Sequence, residues 1–364
     1  MARPTRTCSA RCAPVSGANR GVTDWQREIA TLGEECLKSE DSATEPSARL
    51  VISFDLPPGV LDGLRTDFPD VEIEQAPDAF LTPTPIGEAD AVVTWALTPE
   101  EIDAAPNLRW VQWIGAGVDH APLAALKARG ILFTNNRGVH ANNIAEHIIG
   151  MMIAIGRNFP QLVHAQDEQR WMLHENDFRV RELAGSRLLI LGAGHIGSAL
   201  ARKALALDMK VEVLGRKPRS TFIEGTTHRT IDALNQALVE ADHVAICLPL
   251  TSETDRLFDA ERFARMKRGA VIYNVGRGPT IDTDALIDAL RSGQLGGAGI
   301  DVSEPEPLPP GHPLWTAPNV FITGHTAGRP PHYWDRGGRI LRANIRHYLA
   351  GEPLENLIDL DLGY

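Results

Sequence analysis

Strand-like segments alternate with helical segments along this chain, in two separate series. The first series covers 49–55, 71–75, 90–95, 108–114 and 131–135, and the second covers 187–192, 210–215, 243–249, 270–276, 297–301 and 320–324. The segments are rich in Val, Ile and aromatic residues, and Pro, Gly and Asp bound them. Strands that alternate with helices form parallel sheets with helices on their faces. The pattern therefore predicts an α/β protein with two parallel-sheet domains, which a length of 364 residues also favours.

Composition excludes several classes of function. The chain carries 36 basic and 47 acidic residues, a net charge of −11, which argues against nucleic acid and anionic membranes as partners. It has no apolar run of about 18 residues, so we expect no membrane-spanning helix. Four cysteines do not make a disulfide framework, and the His, Cys and acidic residues show no metal-binding spacing. We expect a protein of the reducing cytoplasm that binds no metal.

The first 48 residues differ from the rest of the chain. Four arginines precede the first acidic residue, Asp24, and no apolar core of about 7–15 residues follows, as a secretory signal would require. An Arg-rich start without acidic residues also fits an organelle transit peptide. A start codon placed too early is a further alternative. We predict that 1–48 is a disordered extension.

A glycine-rich turn follows the strand-like segment 187–192 and precedes a helical segment. Gly192, Gly194 and Gly197 form a G-x-G-x-x-G pattern, completed by His195 and Ile196. In this context the first glycine permits a tight turn, the second admits a pyrophosphate, and the third allows close packing of helix on strand. The N–H groups at the start of the helix would face the anion. The turn predicts dinucleotide binding, whereas an ordinary strand–helix turn that binds nothing is the alternative.

The end of the next strand bears on which dinucleotide is bound. NAD sites place an acidic residue about 20 residues after the glycine turn, where it binds the ribose 2′-hydroxyl. Here the strand ends at Gly215, and Arg216, Lys217 and Arg219 follow. An arginine can pair with a 2′-phosphate that a carboxylate would repel. We predict NADP(H), with NAD(H) as the weaker alternative, unless the three cations form only a solvated loop.

Three charged segments lie where late strands of the second series end. They contain Arg277, Glu306 and His325 respectively, and open parallel sheets bind ligands at that edge. An arginine can bind a carboxylate and polarise a carbonyl, and a histidine can transfer a proton near neutral pH. A carboxylate beside the imidazole would stabilise its protonated form. Taken singly, each residue could have a purely structural role; His325, for example, could be a core histidine whose hydrogen bonds are all satisfied. Together they provide what the reduction of a carbonyl group requires.

From about Arg49 to the C-terminus, the chain resembles the D-isomer-specific 2-hydroxyacid dehydrogenases. The resemblance implies that Arg277, Glu306 and His325 are catalytic. Glu304 is a competing carboxylate, but its offset from Asp301 does not match the family pattern. The resemblance also implies that Asp301 binds the nicotinamide carboxamide. Further cofactor contacts are expected from Cys247, Leu248, Pro249, Val275, Gly276 and Gly328.

The family resemblance also implies a substrate loop at 113–117. The backbone N–H groups of Gly115, Ala116 and Gly117 would receive the substrate carboxylate, next to Trp113 and Ile114, and Arg277 and His325 would contact the substrate too. Relatives that act on phosphorylated acids carry a basic residue where Trp113 lies, so Trp113 favours an uncharged substrate tail over 3-phosphoglycerate. Asp119 and Glu146 also match family positions. We predict structural roles for them, as a loop anchor and a helix-start carboxylate.

The resemblance implies a Rossmann domain inserted in a smaller, flavodoxin-like substrate domain. We predict the NADP-binding domain at 143–326 and the substrate domain at 49–142 and 327–364. The implied reaction is NADPH-dependent reduction of a small 2-oxo acid, such as glyoxylate or hydroxypyruvate, to a D-2-hydroxy acid by a homodimer. His325 would be the general acid. The alternative is a non-catalytic, dinucleotide-sensing module like the corepressors that share this fold.

Overall fold

The computed structural model describes residues 47–76, 86–172, 180–217, 223–329 and 331–363. Within these residues the chain forms a five-stranded and a seven-stranded sheet, and every strand pairing is parallel. Helices lie between most successive strands. The predicted α/β fold class with two parallel sheets is therefore confirmed. The domain limits at 142/143 and 326/327 stay predictions, as does the extension at 1–48, of which 1–46 lie outside the described residues.

The N-terminal sheet has the order β2-β1-β3-β4-β5. Its strands are β1 (Ala48–Ile52), β2 (Val71–Gln75), β3 (Ala91–Thr94), β4 (Trp110–Trp113) and β5 (Leu132–Asn135). Helices α1 (Pro58–Asp67), α2 (Pro99–Ala104) and α3 (Leu123–Ala128) connect them. Because successive strand residues point to opposite faces, Leu50 and Ile52 pack on one core and Val51 on another.

The second sheet has the order β12-β11-β10-β9-β6-β7-β8. Its strands are β6 (Arg187–Leu191), β7 (Lys210–Gly215), β8 (Thr226–Thr230), β9 (His243–Ile246), β10 (Ala270–Asn274), β11 (Leu295–Ile300) and β12 (Val320–Ile322). Strand β8 was not predicted, because its sequence TTHRT is polar and its residues are only partly covered at the sheet edge.

Helices cover both faces of the second sheet. They are α4 (Ala141–Gly156), α5 (Phe159–Asp167), α6 (His195–Leu205), α7 (Leu234–Ala237), α8 (Ala260–Arg265) and α9 (Thr283–Arg291). The break between α4 and α5 occurs at Asn158, whose backbone is left-handed with φ 59°. Glu146 is the sixth residue of α4 and pairs with Lys203 of α6 at 2.9 Å. Our prediction that Glu146 lies at a helix start was therefore wrong.

The last helix returns to the first sheet. Helix α10 (Tyr333–Ala350) ends at Gly351, which has a left-handed φ of 66° and so suits a residue without Cβ. Leu341 and Ile345 pack into the core formed by β1, β3 and β4. The chain thus crosses between the sheets twice, once before α4 and once before α10. In the described part of the chain, we find no helix long and apolar enough to span a membrane.

A buried polar network connects α10 with the N-terminal sheet. The Gln112 amide donates to Asn136 at 3.0 Å, and the Asn136 amide donates to the Tyr333 hydroxyl at 2.6 Å. The Tyr333 hydroxyl in turn donates to the carbonyl oxygen of Ile114. Burial raises the pKa of Tyr333 to about 12, so the phenol keeps its proton. The network fixes the backbone that follows β4.

Candidate active site

The carboxyl ends of the second sheet place the predicted residues in one row. His325 follows β12, Asp301 follows β11 and Arg277 follows β10. Beyond them, Cys247 follows β9, Gly192 follows β6 and Arg216 follows β7. Neighbouring strands lie about 4.8 Å apart, so the charged residues and the glycine turn belong to one edge. This edge can hold one elongated ligand.

The three glycines of the turn have the geometry that the sequence predicts. Gly192 has φ +114°, and a Cβ there would lie 2.6 Å from the carbonyl oxygen of Cys247. A Cβ at Gly197 would overlap the carbonyl oxygen of Gly192, so α6 packs closely on β6. Gly194 has open space, with no atom of the described residues within 4 Å of a Cβ there. The N–H groups at His195 and Ile196 begin α6, so the turn fits a pyrophosphate.

The end of β7 leaves little room for the acidic side chain of a typical NAD site. A Cβ at Gly215 would lie 3.0 Å from Ala193 Cβ and 3.1 Å from His228 Nε2. His228 comes from β8, the strand that the sequence analysis missed. Arg216 and Lys217 are exposed immediately after Gly215, while Arg219 lies outside the described residues. This end of the edge therefore combines two cations with a neighbouring imidazole.

The middle of the edge consists of two closely packed turns. A Cβ at Gly276 would lie 2.6 Å from the carbonyl oxygen of Leu248, and Val275 donates its N–H to Ile246. Burial raises the pKa of the Cys247 thiol to about 12, so the thiol stays protonated. Pro249 is exposed beside Leu248, and Gly328 again has open space in place of a side chain. Cys247, Leu248, Val275 and Gly276 thus lie together at the carboxyl ends of β9 and β10.

Arg277 connects the two sheets. Its Nε and Nη2 donate to Oδ2 of Asp119 at 2.9 and 2.7 Å, and its Nη1 donates to the carbonyl oxygen of Gly276 at 2.8 Å. A Cβ at Gly117 would overlap the guanidinium, so a glycine is required where Arg277 approaches the loop. Asp119 is thus more than the loop anchor that we predicted, because it orients an arginine of the other sheet.

His325 and Glu306 form a direct pair. The imidazole Nδ1 donates to Glu306 Oε1 at 2.6 Å, and both side chains are partly exposed. Glu304, the competing carboxylate, lies two residues before Glu306, and its backbone carbonyl oxygen accepts from the Thr283 hydroxyl at 3.1 Å. The carboxylate bonded to His325 is therefore that of Glu306. A Cβ at Gly278 would overlap the Ser303 carbonyl group, so the Arg277 turn lies against the loop that carries Glu306. Such a pair can hold the imidazole in position for proton transfer.

Asp301 is buried and holds the turn that carries His325. Its carbonyl oxygen accepts the His325 N–H at 2.7 Å, and its carboxylate accepts the Thr326 N–H at 2.9 Å and the Thr323 hydroxyl at 2.7 Å. His147 of α4 donates from Nε2 to that hydroxyl at 2.8 Å. These bonds stabilise His325 in a left-handed backbone conformation, φ 53°. The sequence analysis missed His147 and Thr323, because only the fold brings them to Asp301.

The loop after β4 turns its carbonyl groups into its own domain. Gly115 O accepts from Asn136 N at 3.2 Å, Ala116 O from the Asn135 amide at 2.6 Å, and Gly117 O from the indole of Trp113 at 3.1 Å. Trp113 is 4% exposed and packs edge-on against Phe133. This burial argues against our prediction that the indole lines a substrate pocket. Instead, Trp113 supports the loop from within the domain.

Metal-ligand geometry is absent from the described residues. No three His, Cys, Asp or Glu side chains among them lie close enough together to hold a metal ion.

Comparison with known proteins identifies the family. The model of the D-isomer specific 2-hydroxyacid dehydrogenase NAD-binding domain matches residues 149–327. A glyoxylate reductase of Thermofilum pendens is 32% identical over 276 residues, which are 74% of this chain and 80% of the relative.

Two solved structures share the whole fold. A D-isomer specific 2-hydroxyacid dehydrogenase from Xanthobacter autotrophicus, in complex with NADPH and MES, is 31% identical, with a TM-score of 0.74 over 87% of this chain and 99% of that chain. An NADPH-dependent glyoxylate/hydroxypyruvate reductase from Sinorhizobium meliloti, with NADP and sulfate, is 27% identical, with a TM-score of 0.74 over 87% of this chain and 100% of that chain. The chain belongs to the D-isomer specific 2-hydroxyacid dehydrogenase family, and it is an NAD(P)-dependent oxidoreductase.

Proposed function

We propose that this enzyme reduces a small 2-oxo acid to a D-2-hydroxy acid with NADPH. The observation that carries the proposal is the 2.6 Å pair of His325 and Glu306 beside Arg277, at the edge that carries the glycine turn. A bound nicotinamide cofactor supplies the hydride. Relatives with the names glyoxylate reductase and glyoxylate/hydroxypyruvate reductase support 2-oxo acids as the substrate class.

The chain's own residues have separate tasks in this reaction. The carbonyl groups of 115–117 bond within their domain, so the N–H groups are the backbone groups that can receive the substrate carboxylate. Arg277 uses three of its five N–H groups for Asp119 and Gly276, and others can contact the carboxylate and keto oxygen. His325, held by Glu306, donates the proton that the developing alkoxide requires. Closure of the domains would exclude water.

NADP(H) is the proposed cofactor, with NAD(H) as the weaker one. Gly215 is crowded by Ala193 and His228, which disfavours a carboxylate there, while Arg216 and Lys217 can attract a 2′-phosphate. The two solved relatives named above contain NADPH or NADP. Their cofactors agree with the preference that the charges suggest.

A homodimer in the cytoplasm completes the proposal. Exposed apolar side chains cluster in sequence on α4, α5 and the segment that follows, and Trp171 is 90% exposed. The others are Ile153, Phe159 and Val163. Exposed apolar groups of this size often mark interfaces, and the helical region after Ala141 is where we expect the partner subunit.

Initial rates would test the function. We expect turnover of glyoxylate, hydroxypyruvate or a branched 2-oxo acid, with higher kcat/KM for NADPH than for NADH. Tight binding of NADPH without turnover of any 2-oxo acid would instead favour the dinucleotide-sensing alternative. Higher kcat/KM with NADH would overturn the cofactor preference but not the reaction.

A further inference from the structure

A groove between α1 and α10, on the outer face of the N-terminal domain, carries three arginines. It has a volume of about 560 Å³, and it is lined by the start of α1, by Trp334 and by Arg339, Arg342 and Arg346. The arginines are three and four residues apart along α10, so they form one stripe on the helix surface. A chain with a net charge of −11 thus concentrates positive charge in one place, which we call the arginine groove.

Arg342 is the least exposed arginine of the groove, and it joins the two helices. Its Nε donates to Oδ2 of Asp67, the last residue of α1, at 2.8 Å. A Cβ at Gly63 of α1 would lie 2.5 Å from Nη2, and a Cβ at Gly338 of α10 would lie 3.3 Å from Nη1. Each helix therefore has a glycine where the guanidinium lies, and the charge is held between the helices at the base of the groove.

Arg339 and Arg346 are the exposed arginines of the groove. Neither forms an ion pair with a carboxylate of the residues that the structure describes. The Arg346 guanidinium lies over the ring of Phe68, 5.6 Å from its centroid, and this contact holds the side chain beside the end of α1. Asp335, the acidic residue that lines the groove, pairs with His332 at 3.1 Å. Two guanidinium groups thus remain for an anion from solution.

The spacing of the exposed arginines fits a chain of phosphoryl groups. Arg339 and Arg346 lie about 10 Å apart along the helix axis and about 20° apart around it. An arginine binds a phosphoryl group through two parallel N–H donors, and several phosphoryl groups in series offer acceptors along the whole stripe. Trp334, at the start of the groove, packs on Phe54 and Tyr333. The arginines are therefore the groups that can recognise a ligand here.

We propose that the arginine groove binds a small ligand that carries a chain of phosphoryl groups, either inorganic or attached to a nucleoside. This site is separate from the dinucleotide turn, because Gly192 and Arg216 belong to the second sheet, whereas α1 and α10 cover the first. Helix α10 also carries Tyr333, whose hydroxyl bonds the carbonyl oxygen of Ile114. A ligand in the groove therefore contacts the helix that supports the loop after β4.

Calorimetric titration of the full chain with inorganic triphosphate tests the proposal. Saturating NADPH is present throughout, so that the glycine turn is already filled. We expect one site per chain, with a Kd at least about tenfold below that for sulfate at the same ionic strength. Titration with ATP distinguishes the two sources of the phosphate chain. Equal affinity for ATP and triphosphate would assign recognition to the phosphate chain alone, and tighter binding of ATP would add a contact to the nucleoside.

Two variants and a matched control locate the site. Arg339→Gln and Arg346→Gln should each weaken triphosphate binding about tenfold. Both positions are exposed and glutamine suits a helix, so the unfolding temperature without ligand should not change. Arg291→Gln removes the same charge from an exposed position in the last turn of α9, and it should leave the affinity unchanged.

Three results would overturn the proposal. The first is triphosphate binding no tighter than sulfate, which would make the groove a solvated basic surface. The second is binding that disappears when NADPH is present, which would place triphosphate at the glycine turn. The third is an equal loss of affinity in Arg291→Gln and in the two groove variants. The proposed reduction of a 2-oxo acid would stand in all three cases, because it does not use the groove.

Discussion

The carboxyl edges of the two sheets differ in what carries their chemistry. At the second sheet, backbone turns and adjacent loops do so, as with Gly192, Gly197 and the His325 turn. At the N-terminal sheet, side chains from distant segments meet, as with Phe54, Trp95 and Tyr333. In the proposed reaction, the edge of the second sheet would bind the cofactor, which is the same in every turnover, and the edge of the N-terminal sheet would bind the substrate. A cofactor that does not vary can be bound by a short sequence motif, whereas selection among substrates depends on packing between elements that are distant in sequence.

The largest effect is expected when the proposed general acid, His325, is removed from the carboxyl edge of the second sheet. His325→Ala should lower kcat by about 10²- to 10⁴-fold, because no positioned group then protonates the alkoxide. NADPH binding, measured by fluorescence titration, should change little, since the glycine turn is intact. His164→Ala, at an exposed position on α5, is the control. Turnover near that of the unmodified enzyme would contradict the assigned role.

Acid should destabilise the second sheet through a buried histidine. His243 is buried against Tyr273, whose hydroxyl lies 3.1 Å from Nδ1, and burial lowers the pKa of His243 to about 4. The unfolded chain therefore binds a proton that the folded chain excludes between about pH 6.5 and pH 4.

The stability that comes from neutral His243 is complete above pH 6.5 and is lost as the pH falls towards 4. The loss is at most about 3 kcal/mol, measured as the free energy of unfolding in urea at each pH. His243→Phe, which keeps a ring but does not titrate, should flatten this dependence. In the N-terminal sheet, by contrast, the buried polar network consists of amide and hydroxyl groups and contains no imidazole. An unchanged slope in His243→Phe would show that other groups dominate.

Reversing the charge at Arg216 should alter which cofactor binds preferentially at the carboxyl edge of the second sheet. Arg216→Asp should weaken NADPH binding by about 10- to 150-fold, because a charged hydrogen bond contributes about 1.5–3 kcal/mol and the new carboxylate repels the phosphate. The ratio of kcat/KM for NADPH and NADH measures the change. Arg268→Asp, on the turn before β10 and therefore at the amino ends of the strands, controls for net charge. An unchanged ratio in Arg216→Asp would refute the assignment.

Two glycines of the same turn should respond differently to alanine. Gly197→Ala places a methyl group against Gly192 O and should lower the free energy of unfolding by about 1–3 kcal/mol. Gly194→Ala meets open space at φ −84°, so it should leave stability unchanged but weaken NADPH binding. Thermal unfolding without and with NADPH separates the two effects. Equal loss of stability in both variants would contradict the division of roles.

The smallest effect concerns the N-terminal edge. Tyr333→Phe removes the hydroxyl that bonds Ile114 O and leaves the ring against Trp334. The hydroxyl also accepts a hydrogen bond from the Asn136 amide, but only its bond to Ile114 O holds the loop. Loss of that bond, about 1 kcal/mol, should raise KM for the 2-oxo acid about fivefold, with NADPH affinity constant. Tyr348→Phe, on the same helix but packed on Trp110, is the control. A change in NADPH affinity without a change in KM would contradict this role.

The sequence predicted the two sheets and the row of functional strand ends, because glycine turns and late charged segments are local patterns. It could not show which face a strand residue occupies. Trp113 and Ile114 point to opposite faces, and only the packing of α10 shows that Ile114 lies on the face that this helix covers. Strand β8 lacks the alternation of apolar and polar residues on which strand prediction depends. It lies at the edge of the sheet, where its residues are only partly buried and can be polar. His147 and Trp95 needed the fold to reveal their neighbours.

The two crossings between the sheets have a consequence during synthesis. Helix α10 supplies Leu341 and Ile345 to the core of the N-terminal sheet, yet the ribosome makes it last. Between β5 and α10 lie about 200 residues, which take about 10–40 s at typical rates of elongation. Throughout that interval one apolar face of β1–β5 lacks its final helix and is exposed to chaperones and to other nascent chains. Completion of the core of the N-terminal sheet therefore requires that the whole second sheet has already been translated.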